Sequence, residues 1–400
     1  MNYNEMKKLL FGIVITIFLI FSANSAKASS SDEGGKFNPG TFIIDHIVDS
    51  YGWHITDIGG HSISISLPVI LFDDGKPVVF MSGNFHHGKN AYKGYAIGFT
   101  PDTKGKIVKL AGANAGYSGE ISELSKEMQI SDAEGMQSLI DAAASASLID
   151  ISITKNVCSL FISIILLCWL FLHIAKKYKH RENMAPKGAQ SLFEPVILFV
   201  RDEIAIPSIG ENKYQKFFPY LLTLFFFILI NNMMGLVPIF PGGANVTGNI
   251  AITGILALIT FLITTFSSNK NYWVHIFNTP GVPWWLKFPL PLMPIVELIG
   301  IFTKPFVLMI RLFANITAGH IIVLGFIGLI FIFGEMAPAL GYGVSIISLI
   351  FYLFMGLLEL IVAFVQAFVF TLLTALFVGM AMEEEHEESH EKVSTVEISK

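Results

Sequence analysis

The chain has 400 residues, of which 53% are hydrophobic and only 14% charged, with 35 phenylalanines. Soluble proteins carry roughly 25% charged residues, so this composition excludes an ordinary cytosolic enzyme and a disordered chain alike. The formal charge of −5 resides in residues 383–400, which hold seven acidic and two basic side chains; the balanced remainder carries no nucleic-acid footprint. Cys158 and Cys168 lie ten residues apart in one apolar run, about 15 Å on a helix and beyond disulfide reach.

The first 28 residues read as an export signal. Lys7 and Lys8 precede the apolar stretch Leu9 to Phe21, and Ala26-Lys27-Ala28 supplies a small-x-small cleavage site. An uncleaved anchor is the alternative, although such a stretch rises only about 20 Å against a hydrocarbon core of about 30 Å. Residues 29–150 are polar and strand-like. His61 to Leu67 alternates with period two, Pro77 to Phe80 and Tyr95 to Phe99 follow turn signals such as Asp73-Asp74-Gly75, and Ile121 to Asp150 reads as helical. This predicts a small exported β-rich region.

Residues 151–382 read as the membrane domain. Val157 to Ile174, Phe217 to Ile239 and Ile250 to Phe266 are three spans, followed by the long apolar stretches Phe288 to Gly334 and Gly343 to Met382. Between the first two spans, Phe193, Val196, Ile197, Val200 and Ile204 fall at helical spacing beside Glu194, Arg201 and Asp202, the pattern of an amphipathic interfacial helix. The expected fold is therefore an all-α polytopic membrane protein of about five membrane helices plus one interfacial helix. Basic residues concentrate in loops 176–187 and 268–287 and are absent from loops 240–249 and 334–342. That asymmetry puts the N-terminal region outside and the acidic tail, 383–400, inside.

Soluble catalytic motifs fail. Gly83 to Asn90 has the spacing of a phosphate loop, but Asn90 stands where a Ser or Thr would bind Mg²⁺. His386 and His390 sit in a solvated acidic tail. No nucleophile with its base is evident, and no cofactor or metal site is expected.

The informative residues are polar ones inside the last two stretches: Arg311, His320, Glu359, Gln366, Asn315 and Glu297. An arginine at membrane depth costs about 2.5–3.5 kcal/mol on insertion scales, and such residues usually mark ion pathways. A snorkelling arginine is the plainer reading, but more than twenty residues separate Arg311 from the next loop. If the two stretches form an antiparallel hairpin turning near Ala339, Arg311 comes level with Gln366 and His320 with Glu359. The second pair then lies about 10–14 Å from the first. Glu297, Lys304 and Arg311 repeat every seven residues and share a helix face. Helix running from Arg311 to Ala339 would rise about 42 Å, although midplane to surface is only about 15 Å. Steeply tilted helices forming a hairpin are therefore expected, with a fold-back at Lys304-Pro305 as the alternative.

Those residues carry a resemblance. The segment from Thr303 through Lys304-Pro305, Arg311 and Asn315 to Gly319-His320 resembles the signature of subunit a of F-type ATP synthases. So do Asn232-Met-Met-Gly235-Leu-Val-Pro238, Asn245-Val-Thr247 and Gln366 to Phe370. The resemblance implies a non-catalytic stator subunit of a proton channel in the cell inner membrane, held against a rotating c-ring, with the subunit b peripheral stalk and the other subunits as partners. It implies that Arg311 is the essential stator arginine and Gln366 its level partner. His320 and Glu359 would belong to an outer half-channel, Glu297 to an inner one, and Asn315 would line the route. Departures are visible. His320 and Glu359 exchange the residue types that many bacterial relatives carry, Gly235 stands where some members are acidic, and Ala314 replaces a usual glycine. The exported region also exceeds the short outer segment of typical members. A reading from another class is a secondary transporter or receptor whose exported domain binds a ligand, although no internal repeat supports it.

Overall fold

The computed structural model describes residues 38–58, 61–100, 102–130, 133–180, 186–237, 242–277 and 292–382. The expected export signal at residues 1–28, the acidic tail 383–400, Arg181 and Lys287 lie outside the described residues. The chain divides into two compact units. One holds the N-terminal region through Ser159 with 239–244 and 324–352; the other holds 160–238, 245–323 and 353 onward.

In the first unit, helix α1 (Pro39–Ile47) leads into the antiparallel pair β1 (Gly52–Ile58) and β2 (His61–Ser66). Strands β3 (Pro68–Asp73) and β4 (Lys76–Met81) form a hairpin through Asp73-Asp74-Gly75-Lys76, where Asp74 and Gly75 take positive φ. Glycine and aspartate are the residues that tolerate such a turn. Short strands follow as two antiparallel pairs, β5 (Asn90–Ala91) with β8 (Gly119–Glu120) and β6 (Tyr95–Ile97) with β7 (Ile107–Lys109). The predicted helical stretch after Ile121 is three short helices, α2 (Ile121–Glu127), α3 (Ala133–Ser138) and α4 (Ala142–Ser147). It ends in the two-residue strand β9 (Ile149–Asp150), which adds to the free edge of β3.

Two apolar cores hold this region together, one around Val69, Leu71, Phe80 and Phe85, the other around Val108, Leu110, Leu124 and Leu139. Between them Asp73 accepts from Lys109 Nζ and Tyr95 Oη, both at 2.6 Å. These two partners hold the Asp73 carboxyl below the ordinary carboxylate range, and Asp73 in turn raises Lys109. Ser82–Gly88 is an irregular 3₁₀ turn, with His86 and His87 at positive φ, followed by β5. It opens no helix and has no phosphate-loop setting.

Among the described residues, four helices are long and apolar enough to cross a membrane: α5 (Lys155–His180), α8 (Tyr214–Leu236), α11 (Leu292–Met336) and α12 (Pro338–Met382). The stretch expected as another span is α9 (Ile250–Phe266), whose 17 residues rise about 25 Å and sit at the lower limit of a crossing. The expected interfacial helix is α6 (Ala189–Phe199), continued by a π-helical turn at Val200–Ala205 and by α7 (Ile206–Ile209). Val200, Ile204 and Ala205 bury completely in the core of the second unit, with Leu221 and Phe225 of α8. A further short helix, α10 (Lys270–Phe277), fills part of the loop between α9 and α11.

Pro305 lies inside α11, which continues through it; the chain does not fold back at Lys304-Pro305. The break falls at Ala337, two residues before the expected turn, because Pro338 has no N–H to extend α11 and its fixed φ suits the first position of α12. In the first unit, Phe326 stacks on Phe351 at 5.2 Å, and a Cβ on Gly341 would lie 2.8 Å from the Gly334 Cα. In the second unit, Lys304 Nζ stands 5.6 Å from the Phe377 ring centre.

Candidate functional site

The site is built on α11 and α12. On α11, Leu308, Leu312 and Ile316 repeat at four-residue intervals and are buried in the core. Arg311 lies at the border of this seam, half-buried, in a row with Val307, Ala314 and Ala318, all exposed. Among the described residues its guanidinium makes no hydrogen bond or ion pair. Asn315, one turn on, is exposed. Gln366 is 6% exposed on α12, flanked by the buried Ala363, Ala367 and Phe370. No hydrogen bond joins Arg311 and Gln366 among the described residues.

The second pair does meet. His320 Nδ1 lies 2.9 Å from Glu359 Oε1, with Glu359 only 7% exposed. The contact lacks the alignment of a direct hydrogen bond, and Oε1 has no other partner among the described residues. Gly319 makes the approach possible. A Cβ there would meet Glu359 Oε1 at 2.8 Å and Cδ at 3.2 Å. The residue before His320 is therefore part of the pair's geometry, and its neighbour in sequence is the signal that points to it.

Sequence reasoning gave no role to the polar clamp beside this pair. Asn232 Nδ2 on α8 donates to the Ala363 carbonyl at 3.1 Å, and Thr247 Oγ1 donates to Asn232 Oδ1 at 2.6 Å. Ala363 lies one turn from Glu359 and one turn from Gln366, so the clamp grips α12 between them. Thr247 belongs to a loop whose residues 244–247 are buried. Asn245 Oδ1 accepts from Gly248 N at 2.9 Å within the same loop.

Glu297 is half-buried near the start of α11. It lies 14 residues from Arg311, about 21 Å along the helix. Burial and the Glu297 charge push the Tyr272 phenol of α10 above its ordinary range, which places the two groups near one another. Tyr272 also lines a cavity of about 20 Å³ with Thr260, Thr264, Lys304 and Phe377, room for about one water. At the end of α12, Asn269 Nδ2 and Lys213 Nζ both donate to the Met382 carbonyl, at 3.1 and 3.2 Å, and Asn269 N donates to Ala381 O. Those bonds satisfy carbonyls that a helix terminus leaves open.

Residues 157–379 match the family model described as ATP synthase A chain. Residues 42–132 match a second model, Domain of unknown function (DUF8433). The ATP synthase subunit a of Chloroherpeton thalassium is 42% identical over 250 residues, covering 60% of this chain and 70% of that protein. The ATP synthase subunit a of Myxococcus xanthus is 43% identical over 245 residues, covering 60% of this chain and 75% of that one. With the family model matching residues 157–379, more than half its length and the stretch that carries Arg311, His320, Glu359 and Gln366, the chain belongs to the ATP synthase A chain family.

Proposed function

We propose that the chain works as the stator half of a proton channel in a rotary ATP synthase, with Arg311 facing the carboxyl groups of a passing c-ring. The chain is a multi-pass membrane subunit and is not itself catalytic; the rest of the complex supplies the chemistry of ATP. The observation that carries the reading is the close approach of His320 to the buried Glu359, on the helix pair that also bears Arg311 and Gln366.

A guanidinium stays charged throughout. Placed beside a rotor carboxyl it favours the ionised form, so a carboxyl reaching Arg311 releases its proton. The same fixed charge bars protons from leaking directly between two offset half-channels. His320 and Glu359 serve the outer half-channel, where an imidazole and a carboxylate in contact pass a proton between them. Glu297 serves the inner one, with Asn315 lining the route and Gln366 level with Arg311. Each proton moving inward down 100 mV delivers about 2.3 kcal/mol. Exposed Ala314 and Ala318 beside Arg311 give a rotor a smooth face to slide past. The subunit b peripheral stalk holds this face against the ring, and lipid covers the remaining helices. The N-terminal region, 29–150, lies outside the inner membrane after an export signal at 1–28, and the acidic tail lies in the cytoplasm.

Cross-linking tests the reading. In a Cys158→Ser, Cys168→Ser background, Ala314→Cys should form a disulfide with a cysteine placed one turn from the ring carboxyl. Absence of that cross-link in assembled, active complex would contradict it.

A further inference from the structure

The sheet formed by β4, β3 and β9 has one face in the core and one face outward. On β3, Val69 and Leu71 are buried, which turns Ile70 and Phe72 out. Residues paired directly across strands share a face. Ile70 pairs with Val79 of β4, and Phe72 pairs with Ile149 of β9. Met81 and Ile151, two residues further along, continue the outer strands on the same side. Val79, Met81, Ile149 and Ile151 are between 48% and 60% exposed. The charged residue between the two isoleucines, Asp150, turns the other way to accept from Tyr51 Oη at 2.6 Å. The outward face is thus apolar on all three strands. Exposed apolar patches of this kind mark membrane or protein contacts.

The chain itself says which. Ile151 N and Ile153 N donate to the carbonyls of Ile70 and Pro68 at 3.0 Å each, so β3 holds the strand up to two residues before α5. Lys155 N donates to Ser50 O at 2.8 Å. Asp49 accepts from Thr154 Oγ1 at 2.7 Å and from Asn156 N at 3.0 Å. These bonds tie the sheet to the first turn of a membrane-spanning helix. Four extended residues, about 13 Å, separate Ile151 from Lys155, so the sheet begins within a short reach of the point where α5 starts. Ile44 and Val48, also exposed, sit just before the same Asp49 clamp. Apolar surface therefore gathers on both sides of the point where α5 begins.

We infer that this sheet face rests on the lipid bilayer, seating the N-terminal domain on the membrane surface beside its own first span. A protein partner would need polar groups within the contact to fix its register; the outward side chains Ile70, Phe72, Val79, Met81, Ile149 and Ile151 supply none, and lipid requires none.

The test uses the full chain in its assembled complex, in nanodiscs. Spin labels are placed at Val79→Cys and Ile151→Cys in a Cys158→Ser, Cys168→Ser background, with Glu127→Cys on α2 as an exposed control. Oxygen should relax the labels at 79 and 151 more strongly than a water-soluble nickel chelate does, and the order should reverse at 127. Stronger relaxation by nickel at 79 and 151 overturns the inference by showing an aqueous face. Protection from both reagents also overturns it, by showing a face covered by protein.

Discussion

Gly319 sets how closely the Glu359 acid and the His320 imidazole meet. A methyl at this position would lie 2.8 Å from Glu359 Oε1, so Gly319→Ala pushes the carboxylate away while leaving both ionisable groups present. Proton flux through the reconstituted complex should fall about tenfold, an increase of about 1.4 kcal/mol in the barrier, with no loss of assembled subunit. Exchanging His320 and Glu359 should hurt less than replacing either with alanine, because the exchange preserves one imidazole opposite one carboxylate. ATP-driven acidification of vesicles measures both; a double exchange as damaging as the two single losses combined would sink the shared-channel idea. The pairing was legible in the sequence, since rigid antiparallel helices make register a matter of counting. The role of Gly319 was not, because it depends on a distance between two helices.

At the scale of elements, α12 is positioned by hydrogen bonds that no local pattern announces. Asn232 and Thr247 are fifteen residues apart, and the acceptor Ala363 carbonyl is 131 residues from Asn232. Asn232→Ala leaves the buried Thr247 hydroxyl without its acceptor, a loss of about 1–3 kcal/mol. It should lower the dissociation temperature of the membrane sector more than Asn315→Ala, since Asn315 is exposed; native electrophoresis after heating reads the difference. The long spans were legible because runs of apolar residues are a strong signal. Their turn was displaced to Ala337 because Pro338, and not composition, stops α11. Helices α1 and α10 are too short to stand out from their loops, and the two residues of β9 are identified only by the edge of β3 that they complete.

For the whole molecule, two chemistries are joined in one chain, a folded polar domain and a membrane sector. A 45-residue helix rises about 67 Å, more than twice the hydrocarbon thickness, so α11 and α12 either lean steeply or reach beyond the bilayer. The polar domain depends on ionised groups. Asp73 has a depressed folded-state value, so its contribution is present above the ordinary value of 3.8 and is lost as pH falls through the lower, folded one. Lys109 is raised, so its contribution holds below 10.5 and is lost as pH climbs past the folded value. Asp73→Asn should therefore destabilise the domain by about 1–3 kcal/mol at neutral pH. The gap from wild type should begin to narrow below about pH 4 and close only below the lower, folded value, where the wild-type carboxyl is protonated too. Thermal unfolding followed through the fluorescence of the buried Trp53 checks this.

The central claim is that one fixed positive group opposes a moving acid. ATP-driven proton pumping by purified complex carrying Arg311→Ala tests it directly. The complex should assemble with its c-ring intact, and pumping should drop to the passive leak of the vesicles. Pumping at a substantial fraction of the wild-type rate in that same assembled complex would contradict it.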